Sequence, residues 1–231
     1  MNLASIATIR RTIRATLGIA LIATFTTQCG SEVAKPDGLR LTTIAGHSTA
    51  ELGNTEAPTA IVMVHGRSTH KDSWYPVMPK LVAAGYRAVA YDYDSSGDPD
   101  IAAVVQQLRG EGVGTFVLMG SSLGAGHVLR ASNDCEIAAY ATITFSAGEI
   151  IKVPGQPILA IASNGDGETA ATARALTESQ ELQSKAEIVQ GSTHGVDLVN
   201  GHPETIDAAV DWLKIVMAAP RGRVRQPTCQ T

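Results

Sequence analysis

Between residues 60 and 217 the sequence alternates short, unbroken apolar runs with longer stretches whose apolar residues recur at helical spacing. No other feature restricts the fold as much. A run such as Ala60-Ile61-Val62-Met63-Val64, bounded by Pro58 and Gly66, is too short for a helix and too apolar for a strand with a wet face. It suits a parallel strand covered on both sides. The same reading predicts strands over 86–91, 115–119, 141–145, 158–162 and 187–190. Helices are predicted over 74–84, 101–108, 123–131, 169–182 and 203–217. Strands alternating with helices imply βαβ units, and so an α/β fold: a doubly wound, mostly parallel sheet flanked by helices. The functional loops of such a sheet lie at the carboxyl ends of its strands.

The ends of the chain read differently. Arg10, Arg11 and Arg14 precede an apolar run over 15–27, which has the order and length of a signal peptide and is too short to span a bilayer. Residues 1–29 are therefore expected to direct export, to the cell envelope or beyond it. Cys29 closes this segment and resembles the lipidation site of bacterial lipoproteins, although Thr26 and Gln28 stand where that pattern has Leu and a small residue. Lipid anchoring at Cys29 and simple secretion both stay open, and such an anchor is the only membrane contact expected. If Cys29 is lipidated, Cys135 and Cys229 remain as a pair that could form a disulfide in an oxidising compartment. Residues 30–38 read as a linker, 39–218 as one domain, and the Pro/Arg/Gln-rich 219–231 as a loose tail. With 44% hydrophobic residues the chain is globular, and its net charge of -4 gives no general attraction to nucleic acid.

Gly120-Ser121-Ser122-Leu123-Gly124 joins a predicted strand to a predicted helix. A Gly-x-Ser-x-Gly string is weak alone, but at a strand–turn–helix junction it describes a sharp turn that lifts the Ser122 hydroxyl above the sheet. Glycines leave room where side chains would strike the neighbouring strand and helix. Ser121 is the alternative, without glycines at both spacings.

A serine hydroxyl needs a base. Of six histidines, His194 is the candidate, in the loop between the last strand and the last helix. His202, beside Pro203, reads as a surface residue, and His127 and His65 as structural ones. The imidazole in turn needs a carboxylate. Asp166, just past the strand over 158–162, is the candidate, with Glu168 as runner-up. Asp197 is too near His194 in sequence, and Asp92, Asp94 and Asp98 read as rim residues. The backbone N–H groups of Leu123 and of Arg67, which follows His65-Gly66, are the candidate oxyanion donors. The Arg67 side chain reaches either solvent or an acidic group of a substrate. No His/Cys/Asp cluster stands at metal-ligand spacing, so neither a metal nor another cofactor is expected.

Together, His65-Gly66 with Trp74 beyond, Gly85-Tyr86 ahead of Tyr91-Asp92-Tyr93, the turn at 120–124, Asp166 and His194-Gly195 resemble the α/β-hydrolase superfamily over residues 39–218. The nearest likeness is to small lidless esterases and dienelactone-hydrolase-like proteins. Only about ten residues connect Ser146 to Gln156, so no sizeable cap domain is expected. Dienelactone hydrolases carry Cys where this chain has Ser122, so that activity does not carry over. The resemblance implies a serine hydrolase of small carboxylic esters or thioesters. An exported scaffold keeping the fold without turnover, and an acyltransferase using the same residues, are the alternatives.

Overall fold

The computed structural model describes residues 33–178 and 183–219. The expected export segment with Cys29, the first residues of the linker, the end of the predicted helix over 169–182 and nearly all of the tail lie outside these residues.

Eight strands form one sheet in the order β1-β2-β4-β3-β5-β6-β7-β8. They are β1 (Arg40–Ile44), β2 (His47–Leu52), β3 (Thr59–Val64), β4 (Arg87–Tyr91), β5 (Thr115–Ser121), β6 (Ala141–Phe145), β7 (Ile158–Ser163) and β8 (Lys185–Val189). From β4 to β8 every pairing is parallel; only β1 with β2 and β2 with β4 run antiparallel. The helices are α1 (Met78–Ala83), α2 (Ile101–Gly110), α3 (Leu123–Ala131), α4 (Thr169–Glu178), α5 (Asp197–Gly201) and α6 (Glu204–Ala218).

Strand side chains alternate between faces, and both faces are dry. Ile61, Met63, Val117, Met119, Phe145 and Ile161 pack with Met78 and Leu81 of α1 and with Val210 and Leu213 of α6. Their neighbours Ala60, Val62, Val64 and Leu118 turn to Val104, Val105 and Leu108 of α2 and Val128 of α3. Farther along that face, Ile158, Ala160 and Ala162 meet α3 and α4. Two covered faces are why the central strands read as unbroken apolar runs.

Three differences from the sequence reading have local causes. The hairpin β1–β2 was not expected as strands: β1 buries only Ile44, and β2 mixes His, Ser, Thr and Glu with its apolar residues. Its two-residue turn has Ala45 and Gly46 both at positive φ, the form that matches strand twist. The predicted helix over 74–84 divides into a 3-10 turn, Lys71–Trp74, and a shorter α1 whose start is set by Pro79. The short α5 was not foreseen. The crossover from β6 to β7, residues 146–157, carries no helix, so no cap covers the sheet there. Cys135, between α3 and β6, is disulfide-bonded, and the chain's other two cysteines both lie outside the described residues.

Candidate active site

β5 and α3 meet at Ser122, whose backbone adopts φ +53° and ψ -115°. For a residue with a Cβ this is a strained conformation that the surroundings must enforce. They do so by close approach. A Cβ on Gly124 would lie 2.5 Å from the His65 carbonyl oxygen and closer still to that of Val64. One on Gly120 would lie 2.7 Å from Val128 Cγ2 and closer to the Gly124 carbonyl. The Ser122 N–H donates to the Phe145 carbonyl at 2.8 Å, which ties the turn to β6.

The loops after β7 and β8 bring the two other candidates to this serine. His194 Nε2 stands 2.8 Å from Ser122 Oγ, and His194 Nδ1 stands 2.7 and 3.0 Å from the two oxygens of Asp166. An ionised carboxylate only accepts, so Nδ1 carries the hydrogen and Nε2 offers its lone pair to the serine hydroxyl. Thr169 Oγ1, at the start of α4, shares its hydrogen between the Asp166 carbonyl at 2.8 Å and Asp166 Oδ2 at 3.0 Å, which steadies this residue. The His194 side chain is half exposed, as the bare crossover allows.

Three buried serines hold the loop that carries His194. Ser163 Oγ donates to the Thr193 carbonyl at 2.8 Å, the Gly195 N–H donates to Ser146 Oγ at 2.9 Å, and the Val196 N–H donates to Ser121 Oγ at 2.8 Å. They stand at the carboxyl ends of β7, β6 and β5, so the imidazole is braced from three successive strands. Sequence reasoning missed this brace; its only trace is a serine at or just past the end of each apolar run.

The Arg67 and Leu123 backbone N–H groups, both beside Ser122, donate to no protein group among the described residues. Gly66 is pressed against the serine, where an added Cβ would lie 3.3 Å from Ser122 Cβ. His65 fixes this loop. Its Nδ1–H donates to the Gly66 carbonyl at 2.7 Å, and its Nε2 accepts the Tyr93 N–H at 3.3 Å. Burial lowers the His65 pKa, the Gly66 bond opposing it in part, so the ring stays neutral and keeps both bonds. Burial pushes the Tyr93 phenol up to about 12, and its hydroxyl donates to the His65 carbonyl at 3.0 Å.

The remaining candidates fall elsewhere. His127 packs edge-on against Tyr93, and His202 pairs with Glu204 at 2.9 Å. Glu168 is exposed, and Asp197 opens α5 with its side chain exposed. Asp94 and Asp98 close local turns through Ser96 and the Asp100 N–H. Folding also gathers His65, His70 and Asp92, whose ligand atoms lie within 4.8 Å of one another. Sequence spacing could not show this grouping across two loops. Both His65 nitrogens are already engaged, and Asp92 accepts from the Lys71 N–H and ammonium. A metal there would have to displace these bonds.

Two cavities flank Ser122. One, of about 390 Å³, runs along the His194 loop past Gly195, Val196 and Asp197 to Thr69. The other, of about 310 Å³, is bounded by Leu123, Ser146, Gly148 and Glu149. Arg67 lines both.

A sequence model of the alpha/beta hydrolase family matches residues 61–223, well over half of the chain. The chain belongs to that family. No curated protein matches the sequence. Among solved structures it is similar to an α/β serine hydrolase without lid from Xanthomonas campestris, at 18% identity over 80% of this chain and 98% of that one, with a TM-score of 0.61. It is similar also to a dienelactone hydrolase from Anabaena variabilis, at 14% identity over 77% and 97% with a TM-score of 0.59. An esterase/lipase from an uncultured bacterium aligns at 16% identity over 80% and 86% with a TM-score of 0.63. At these identities the likeness is one of fold: a lidless α/β-hydrolase architecture. Family and neighbours together support a hydrolase in general terms.

Proposed function

We propose that the protein is a serine hydrolase of small carboxylic esters or thioesters, with Ser122 as nucleophile, His194 as base and Asp166 as its orienting carboxylate. The observation that carries this reading is the unbroken contact line from Ser122 Oγ through His194 to Asp166. Ser122 Oγ bonds to the acyl carbon as its proton passes to His194 Nε2. The carbonyl oxygen takes the negative charge and rests on the Arg67 and Leu123 N–H groups, each such donor being worth about 3–4 kcal/mol in the transition state. His194 returns the proton to the departing alcohol or thiol as its bond to the acyl carbon breaks. Water then attacks the acyl-enzyme, gives its proton to His194, and frees the acid as Ser122 Oγ regains a proton. The esterase and serine-hydrolase neighbours agree with this chemistry. The open site favours short substrates.

The test is hydrolysis of short-chain nitrophenyl esters, with fluorophosphonate labelling of Ser122. Absence of both would favour the scaffold reading. The serine brace adds a second measurement. Ser163→Ala or Ser146→Ala leaves a buried backbone group of the His194 loop unpartnered, and a slight misplacement of the base should lower kcat by about tenfold to a hundredfold with KM little changed. Equal kcat in both variants and wild type would show that the brace does not position the imidazole.

Export of the protein is proposed as well, on the charged-then-apolar order of residues 1–29, and a disulfide at Cys135 accords with an oxidising compartment. With a lipid on Cys29, Cys135 must pair with Cys229. Mass spectrometry of non-reduced peptides from membrane-associated protein is expected to show that pair and a lipid-modified Cys29; a Cys29–Cys135 link would rule out the anchor.

A further inference from the structure

We infer that the acyl part of the substrate carries a carboxylate, bound by the Arg67 guanidinium in the cavity beside Leu123 and Gly148. The inference rests on the hydrolase reading and specifies its substrate.

The two cavities have separable roles. The leaving group must lie where His194 can protonate it and where water can replace it. His194 lines both cavities, but only the 390 Å³ one is walled by its whole loop from His194 to Asp197, and the leaving group is assigned there. The acyl part then extends into the 310 Å³ cavity, past both oxyanion donors and toward Ser146 and Gly148.

Charge sorts the two in the same way. The leaving-group cavity contains Asp197, exposed and without a side-chain partner among the described residues, which repels an anion. The acyl cavity contains Glu149, but both its carboxylate oxygens are held by Arg130, at 2.5 and 2.6 Å. His194 is directed at Asp166. That leaves Arg67, exposed and lining both cavities, as the one charged side chain of this cavity without a hydrogen bond or ion pair among the described residues, and only here does no open carboxylate oppose it. By contrast Lys71, a few residues on, is paired with Asp92, and Lys80 with Asp207. An exposed arginine lining the nucleophile's cavities, with no polar side-chain partner among the described residues, is matched by a carboxylate, which its guanidinium can grip through two parallel hydrogen bonds. Because the Arg67 N–H also holds the carbonyl oxygen, the carboxylate belongs a few bonds from the scissile carbon. The hemiester of a short dicarboxylic acid has that form.

The experiment compares monoethyl glutarate with ethyl valerate, the same acyl length with and without the terminal charge, by titrating released acid at constant pH. Wild-type protein is expected to favour the hemiester in kcat/KM by about tenfold or more, the scale of one charge-assisted hydrogen-bond pair. Arg67→Gln should abolish the ratio, Arg67→Glu should reverse it, and raised salt should shrink it. If ethyl valerate is cleaved with no preference for the hemiester, or if the ratio survives in Arg67→Gln, the inference is overturned and the hydrolase reading stands. If neither ester is cleaved and Ser122 is not labelled by fluorophosphonate, both fall.

Discussion

Ser122→Ala is expected to reduce kcat for a nitrophenyl ester about a million-fold, to the small residue that oxyanion donors and binding supply alone. The hydroxyl is the only atom lost, so the far-ultraviolet spectrum and melting temperature should stay at wild-type values. In the proposed mechanism Ser122 and His194 act on the same proton, so the double variant with His194→Ala should be no slower than either single one. Asp166→Asn makes a different break. Its amide can donate to Nδ1, which turns the imidazole to the tautomer that cannot accept the serine proton, and kcat should fall about ten-thousand-fold. Nδ1 meets both oxygens of Asp166 and, among the described residues, no other carboxylate that could compensate. Turnover that persisted in Ser122→Ala would remove the proposed mechanism.

Gly124→Ala is expected to unfold the protein or to cost about 4 kcal/mol or more, at the upper end for overpacking. The added methyl would meet the Val64 and His65 carbonyls, backbone atoms of the central strand β3 and its loop, which cannot rotate away. Moving α3 back instead would open the contact between sheet and helix and shift the Ser122 turn. Gly126→Ala, half a turn on, is the control. Its methyl would strike only the tip of the Glu149 side chain and come within 3.2 Å of Arg130 Nη1. These long side chains can swing into water, and the loss should be about 1 kcal/mol or less, the worth of an exposed ion pair. Chemical denaturation of both variants measures the contrast. Similar stabilities would mean that the close packing of α3 on β3 does not constrain the turn.

The central sheet was legible because its strands are buried on both faces, and such strands announce themselves as apolar runs. Ser122, Asp166 and His194 were legible for a related reason. Ser122 and Asp166 each follow one of those runs, His194 follows the half-buried edge strand β8, and in a parallel sheet all such loops open on the same rim. Elements that depend on partners distant in sequence were not. Nothing local to Ser163 says that it reaches Thr193, and nothing in β1 says that it pairs at all, since four of its five residues face water. Trp74 fits the helical spacing of its neighbours, yet Pro79 starts the helix later and leaves Trp74 to end a 3-10 turn. The joining of His65 to Tyr93 required the adjacency of β3 and β4, which apolar runs do not encode.

The bare crossover between β6 and β7 offers a port for protein engineering. Its near end is anchored by Ser146, and its far end by Gln156, whose buried amide donates to the carbonyls of Ser132 and Ala139. Between these anchors Gly148, Glu149, Ile150 and Lys152 lie exposed, the first two lining the cavity beside Leu123. A helical hairpin grafted at this point would lengthen a surface loop without touching any strand, at a chain-closure cost of about 0.6 kcal/mol per doubling of length. The same sheet could thus be given a roof to order, and its substrate range retuned from above while the machinery beneath it stays in place.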